Sequence, residues 1–187
     1  SQSLLLAAPW AVCDGINEKG LGVSILELGL MHDVTDTDKN DLMIYSATRV
    51  LLDKCATVDE AIELLGNYDL YSPRTNTYHL FITDISGRSV VVEWLDGKLQ
   101  VIESDAVTNS KLYNGEPLIC KRYKKISETL ESTDFLSNEE CMNLLKDVSQ
   151  TGSCQWSAVY NLDEFSVDIC FNEDYDNVYS YSGKIVE

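Results

Sequence analysis

The stretch that decides the fold reads Asp14-Gly15-Ile16-Asn17-Glu18-Lys19-Gly20-Leu21-Gly22-Val23-Ser24-Ile25-Leu26-Glu27-Leu28. Residues 17–20 are turn formers, and Gly20 can adopt a positive φ without steric cost. After the turn, apolar residues at 21, 23 and 25 alternate with small or polar ones, which is the period of a strand. The stretch therefore predicts a hairpin whose second strand carries a carboxylate, Glu27, at the end of an apolar face.

Outward from this hairpin, helix pairs alternate with strands. A first helix is predicted over 42–54, and a second begins at the capping box formed by Thr57 and Glu60. The block that follows is rich in β-branched and aromatic residues, which predicts strands over 77–83, 89–94 and 99–102. A third helix is predicted around 123–130 and a fourth from the capping box of Ser137 and Glu140, before strands over 155–161 and 165–172.

This order predicts an α+β protein. Two antiparallel sheets packed face to face, with a helix pair outside each, would bury every apolar stripe. The length of 187 residues fits one domain spanning 1–187.

Charge and cysteine usage exclude several function classes. The chain has 31 acidic and 14 basic residues, a formal charge of −17, which argues against nucleic acid and anionic membrane surfaces as partners. No apolar run reaches the ~20 residues of a membrane span. The six cysteines form no C-x-x-C pair, so we interpret them as reduced thiols of a cytoplasmic protein.

Candidate metal and nucleophile motifs in the chain are incomplete. Residues 36–40 have the D-x-D-x-N start of a calcium loop, but Asp41 replaces the turn glycine and Ala47 the bidentate glutamate. Of the two histidines, His32 and His79, the second sits among strand residues and is typical of a packed side chain. A pair such as Cys170 with His79 is conceivable, but no spacing supports it. We predict no metal and no cofactor.

Five segments, taken in order, resemble one known family. They read D-G-I-N-E-K-G-L at 14–21, C-A-T-V-D-E-A at 55–61, H-L-F-I-T-D-I-S-G-R-S-V-V-V-E at 79–93, V-T-N-S at 107–110, and Q-W-S with V-Y at 155–160. Together they resemble the choloylglycine hydrolase family, a mainly bacterial group that includes bile salt hydrolases, penicillin V acylases and related linear-amide hydrolases. The resemblance covers nearly the whole chain.

The resemblance implies an N-terminal nucleophile hydrolase with an αββα sandwich. In such enzymes the nucleophile is the thiol of the first residue of the mature chain. Its own α-amine, with a pKa of about 8, serves as base. The tetrahedral intermediate then needs hydrogen-bond donors for its oxyanion.

The resemblance also assigns three site residues. Asn109, in V-T-N-S, matches the oxyanion-hole asparagine. Arg122, in C-K-R-Y, matches an arginine that begins a helix beside the nucleophile and stabilises charge there. Glu27 falls where relatives carry a polar Asn or Tyr facing the nucleophile, so a glutamate there departs from the bile-salt and penicillin members and puts their substrates in doubt.

The family's nucleophilic cysteine lies several tens of residues before the D-G-x-N segment, a region that this chain does not contain. Ser1 is too far away in sequence to replace it, and Cys13 is expected inside a strand. The expectation is an N-terminally truncated piece, the C-terminal larger part of the domain, that is inactive by itself.

The implied function of the parent protein is hydrolysis of a linear, non-peptide amide C–N bond in a small-molecule substrate. Two alternatives stay open: acyl transfer by the same fold, and a non-catalytic binding domain that has kept the fold. Asn109 and Arg122 are close in sequence, without the long insertion that helps bile salt hydrolases build tetramers. A tetramer formed in that way is not expected, and another homo-oligomer is left open.

Overall fold

The computed structural model describes residues 8–30, 37–72, 76–95, 97–113 and 119–183. Its strands are β1 (Asp14–Ile16), β2 (Leu21–Leu30), β3 (Asn40–Met43), β4 (Tyr68–Tyr71), β5 (Asn76–Asp84), β6 (Ser89–Leu95), β7 (Lys98–Glu103), β8 (Trp156–Asn161), β9 (Ser166–Phe171) and β10 (Tyr179–Ser182). Its helices are α1 (Ile44–Lys54), α2 (Val58–Leu65), α3 (Lys121–Glu131) and α4 (Asn138–Val148). No helix in these ranges is long and apolar enough to cross a membrane.

The strands form two antiparallel sheets and one small parallel pair. The larger sheet has the order β1-β2-β5-β6-β7, and the smaller has the order β10-β9-β8. The predicted hairpin, meander and C-terminal strands are all present. The parallel pair of β3 and β4 was not predicted, because both strands are short and pair across two intervening helices.

The opening hairpin is fastened to helix α1 by one side chain. Asn17 Nδ2 donates to the backbone oxygens of Leu52 and Cys55, at 2.9 and 2.7 Å. Its Oδ1 accepts from the backbone N–H groups of Lys19 and Leu21, both at 3.0 Å. The buried amide therefore closes the turn and satisfies carbonyl groups at the end of the helix, which otherwise lack partners.

Helices α1 and α2 cover one face of the larger sheet and form a dense core with it. Its fully buried side chains include Leu21, Leu51, Val58, Leu80 and Ile82. They come from strand positions of period two and helix positions three and four apart, as the apolar patterns predicted.

A buried carboxylate fixes the start of helix α2. Asp84 Oδ2 accepts from the backbone N–H of Val58 at 2.8 Å, and Oδ1 accepts from that of Ser86 at 2.9 Å. Burial raises the pKa of Asp84, but hydrogen bonds from Ser86 and Val58 and the charge of Arg88 outweigh it and leave the pKa lowered.

Helix α4 packs on β8 of the smaller sheet, and α3 packs on α4. The predicted capping box of Ser137 and Glu140 is present at the start of α4. The two sheets with their flanking helices confirm the expected α+β sandwich. Residues 31–36, which include His32 and Asp36, lie outside the described part of the chain.

Candidate active site

An open cleft of about 720 Å³ lies between the two sheets. Strands β1 and β2 form one wall and β8 the other, and the ends of α3 and α4 close one side. Its apolar lining includes Ile16, Leu26, Phe81, Ile126, Leu145, Val148 and Leu162. Polar side chains are concentrated at two places, around Asn109 and around Asp14.

Asn109 lies on the segment of residues 104–113 that follows β7. Its Nδ2 donates to the backbone oxygen of Glu27 at 2.9 Å, which fixes the plane of the amide at the cleft. A carboxamide carries two N–H donors. Within the described contacts, the second N–H of Asn109 has no acceptor, so it can donate to a group bound in the cleft.

Arg122, the second residue of α3, lies beside Asn109. Its Nη2 donates to Asn109 Oδ1 at 3.1 Å. The structure therefore brings together the two residues that the resemblance assigned to the oxyanion and to charge stabilisation. A cation on the amide oxygen also strengthens the amide N–H as a donor.

Gln150, just after α4, joins this pair, and the sequence reasoning did not single it out. Its Nε2 lies 3.3 Å from Asn109 Oδ1. With the amide turned over, Oε1 instead accepts from Arg122 Nη1 and Nη2 at 3.2 and 3.0 Å. The second orientation is better, because a guanidinium carries only donors.

The carboxylate of Glu27 lies away from this cluster. Glu27 pairs across the sheet with Tyr78, whose hydroxyl is hydrogen-bonded to Tyr45 of α1, so both side chains point to the helix-covered face. Glu27 Oε1 accepts from Asn76 Nδ2 at 2.6 Å. The contribution of Glu27 at the cleft is its backbone oxygen, and a catalytic role of its carboxylate stays a prediction without a contact to support it.

A second polar group links the two sheets across the cleft. Asp14 Oδ2 accepts from Trp156 Nε1 at 2.9 Å. Burial, followed by the charge of Asp14 and a hydrogen bond to it, raises the pKa of Tyr160. Both Asp14 and Trp156 belong to segments that carried the resemblance, but no pattern indicated that they touch.

Cys13 also lines the cleft. Its backbone oxygen accepts from Ile25 N at 2.8 Å, which extends the β1–β2 pairing by one residue. Burial, and then the negative charge of Asp14, raises the pKa of the thiol. A thiol kept protonated is a poor nucleophile, so this placement gives Cys13 no advantage as a replacement for an N-terminal cysteine.

His79 is paired with a carboxylate. Its Nδ1 lies 3.0 Å from Glu93 Oε1, and both side chains are buried. Cys170, the partner considered from sequence, belongs to β9 of the other sheet. Glu93 also accepts two backbone N–H groups, from Leu112 at 2.8 Å and Tyr113 at 3.1 Å.

The segment that carries Asn109 has a further attachment through Cys120. Thr108 Oγ1 donates to Cys120 Sγ at 3.5 Å, just before α3 begins. Burial raises the pKa of this thiol, but hydrogen bonds from Tyr123, Thr108 and Arg122 and the charge of Arg122 outweigh it and lower the pKa. This contact ties the Asn109 segment to the helix that carries Arg122.

This site can stabilise negative charge at the wall of an apolar cleft. An amide N–H held by a backbone acceptor and a guanidinium is suited to an oxyanion. Residues 5–152 match the family model described as "Linear amide C-N hydrolases, choloylglycine hydrolase family".

Two curated relatives match over part of the chain. A penicillin V acylase of Pectobacterium atrosepticum is 31% identical over 115 residues, which cover 54% of this chain and 31% of that protein. A bile salt hydrolase/transferase of Clostridium perfringens is 30% identical over 132 residues, covering 62% of this chain and 40% of that protein. The matched parts therefore span less than half the length of these relatives.

Solved structures agree with the fold. A mutant of the conjugated bile acid hydrolase from Clostridium perfringens superposes with a TM-score of 0.76 at 19% identity, covering 92% of this chain and 73% of that chain. A penicillin V acylase from Agrobacterium tumefaciens gives 0.74 at 21% identity, covering 94% and 67%. These likenesses confirm the sandwich architecture.

Proposed function

This chain belongs to the choloylglycine hydrolase family of linear amide C–N hydrolases, and from that premise we propose that its full-length protein hydrolyses a small-molecule amide with an N-terminal cysteine. The observation that carries the proposal is the hydrogen bond between Asn109 and Arg122 at the wall of the cleft. In the proposed full-length enzyme, the cysteine thiol stands within reach of the second N–H of Asn109.

The proposed reaction has two steps. The α-amine of the cysteine takes the thiol proton, and the thiolate attacks the amide carbonyl carbon. The oxyanion accepts a hydrogen bond from Asn109 Nδ2. When the C–N bond breaks, the leaving amine takes the proton from the α-ammonium, and a thioester remains. Water then attacks the thioester, with the α-amine as base, and releases the carboxylic acid and the free thiol.

Arg122 supports this chemistry through Asn109. Its guanidinium holds the amide oxygen on one side while the backbone oxygen of Glu27 holds the amide nitrogen on the other. A preorganised donor needs no reorientation when the oxyanion forms. The apolar lining of the cleft favours an apolar acyl group, because each buried CH₂ contributes about 0.8 kcal/mol.

In this proposal residues 1–187 form the C-terminal larger part of one domain, and the nucleophile lies upstream of them. We expect the 187-residue chain alone to be inactive for lack of the thiol. The six cysteines are free thiols, which supports a cytoplasmic location.

Acyl transfer is the second candidate function. It is favoured by one observation, that a 30% identical relative is a bile salt hydrolase/transferase. The two reactions share the thioester and differ in what attacks it, water or an amine. A competing amine therefore separates them through the product formed.

The test uses the full-length protein and a chromogenic N-acyl p-nitroanilide, with hydroxylamine as the competing amine. We expect p-nitroaniline release that is lost when the mature N-terminal cysteine is replaced by alanine. A carboxylic acid product identifies a hydrolase, and a hydroxamate in excess of it identifies a transferase. p-Nitroaniline release that persists after the cysteine replacement would contradict the proposal. If substrates with a series of acyl chain lengths all give no release, a non-catalytic binding domain would be favoured instead.

A further inference from the structure

We infer that the buried pair of His79 and Glu93 is a positioning device that holds the segment of Asn109 against the cleft. This inference rests on the proposed function, because it gives the pair a role in orienting the oxyanion donor. Neither side chain was assigned a role by the family resemblance.

The pair is built into the centre of the larger sheet. His79 precedes Leu80 on β5, and Glu93 follows Val92 on β6, and Leu80 and Val92 are cross-strand partners. His79 and Glu93 therefore lie opposite each other on the sheet face away from α1 and α2. Their side chains are 0% and 2% exposed, with 3.0 Å between Nδ1 and Oε1.

Glu93 uses both of its oxygens on the segment that carries Asn109. Oε1 accepts from Leu112 N at 2.8 Å and Oε2 from Tyr113 N at 3.1 Å. These amides lie three and four residues after Asn109, in a part of the chain that has no strand or helix of its own. The carboxylate thus accepts backbone N–H groups that a neighbouring strand would accept if this segment belonged to the sheet.

His79 completes the arrangement by donating to the same carboxylate. Burial raises the pKa of Glu93, but the hydrogen bonds from His79, Leu112 and Tyr113 outweigh it, so the pKa is lowered. His79 Nε2 is buried and has no partner among the described residues. A buried polar atom without a hydrogen-bond partner is rare in proteins. The hydrogen bond that His79 does make, through its other ring nitrogen, is the one to Glu93.

The larger sheet offers a matched control on its other face. Asp84 is also buried and also accepts two backbone N–H groups, from Val58 and Ser86. Those amides belong to the start of α2 and to a turn, away from the Asn109 segment. Neutralising either carboxylate weakens hydrogen bonds to buried backbone N–H groups. Of the two carboxylates, Glu93 is the one that binds the segment carrying Asn109.

The experiment compares Glu93→Gln and Asp84→Asn in the full-length protein. Glutamine keeps the shape of Glu93 but can accept only one of the two amides. We expect kcat of Glu93→Gln to fall about tenfold or more, as for a weakened oxyanion donor, with KM changed less than about threefold. For Asp84→Asn we expect kcat and KM of the folded enzyme within about twofold of wild type, despite lower stability.

Histidine variants supply a second test if Glu93→Gln does not fold. His79→Gln keeps a donor for Glu93 and should retain kcat within about threefold, while His79→Leu removes the donor and should lose about tenfold. Equal kcat in the two variants would overturn the positioning role of His79.

Hydrogen exchange separates failure of this inference from failure of the proposed function. The backbone amides of Leu112 and Tyr113 should exchange at least about tenfold faster in Glu93→Gln than in wild type. In Asp84→Asn their exchange rates should equal those of wild type. If the wild-type protein hydrolyses no amide, the proposed function fails, and faster exchange still supports the attachment of the segment. Unchanged exchange, or an unchanged kcat in folded Glu93→Gln, overturns the inference.

Discussion

The two helix–sheet layers of this molecule are packed to different degrees. In the first layer, α1 and α2 bury Ala47, Leu51, Val58 and Ala61 completely against the larger sheet. In the second layer, α3 buries no residue and α4 buries only Met142. The proposed site lies at the edge where the second layer is open. One layer therefore holds the fold together, and the proposed chemistry lies at the boundary between the layers.

The cause of this difference is visible in the helices. The α1 sequence I-Y-S-A-T-R-V-L-L-D-K presents a continuous apolar stripe, whereas α3, K-R-Y-K-K-I-S-E-T-L-E, is dominated by charged residues. A helix with few apolar positions gains little from burial. Arg122 can therefore remain at the cleft instead of being displaced by a core side chain.

The largest effect on stability should come from truncating a buried side chain in the packed layer. Leu51→Ala removes a fully buried side chain and should lower the free energy of unfolding by about 4 kcal/mol. Met142→Ala, the matched change in the open layer, should cost about 1–2 kcal/mol, because a loosely packed site can collapse around the cavity. Urea unfolding of both variants measures this, and equal losses would remove the contrast between the layers.

A change at the boundary should affect catalysis and leave stability alone. Asn109→Ala in the full-length protein should lower kcat roughly 10²- to 10³-fold, as for other oxyanion donors. Because Asn109 is exposed, the urea midpoint should stay close to that of wild type. Single-turnover kinetics give the acylation rate, and an unchanged rate would exclude Asn109 from the mechanism.

A smaller effect is expected from changing the shape of the cation while keeping its charge. Arg122→Lys loses the fork that contacts Asn109 and Gln150, and kcat should fall about tenfold. Arg49→Lys is the control, since Arg49 is exposed on α1 and pairs only with Asp53 in the described structure. If both variants behave alike in kcat, geometry at Arg122 is irrelevant.

The smallest effect concerns how the stability of the packed layer depends on pH. The pKa of Asp84 is lower in the folded protein than its usual value. Its contribution to stability is thus present above the unfolded pKa and is lost as pH falls through the folded pKa. Wild type should lose more unfolding free energy than Asp84→Asn between neutral and acid pH, measured by urea titration at each pH. Parallel pH profiles for the two proteins would contradict this assignment.

The fold was largely predictable because its signals are local. Hairpin turns, capping boxes and apolar periodicity act over a few residues, and they placed the helices and sheets. The parallel pair of β3 and β4 was missed because two helices separate Asn40 from Tyr68 in the sequence. The sequences N-D-L-M and Y-D-L-Y have four residues each, which is too short for a strand period to be recognised.

The site was less predictable because its contacts join distant segments. Asp14 and Trp156 are 142 residues apart in sequence, and neither residue type indicates the other. Asn109 and Arg122 came only from the family resemblance, and Gln150 had no signal at all. The strand register turns the Glu27 carboxylate toward Tyr78 and leaves its backbone oxygen at Asn109, so a catalytic role of that carboxylate stays a prediction.

The proposed N-terminal nucleophile is tested most directly by the intact mass of the full-length protein after a short reaction with an N-acyl p-nitroanilide and an acid quench. We expect a mass increase equal to one acyl group, located by peptide mapping on the mature N-terminal cysteine, with slower formation in Asn109→Ala. Amine release that persists when the mature N-terminal cysteine is replaced by alanine, or an adduct on Cys13 or Cys120 instead, would contradict it.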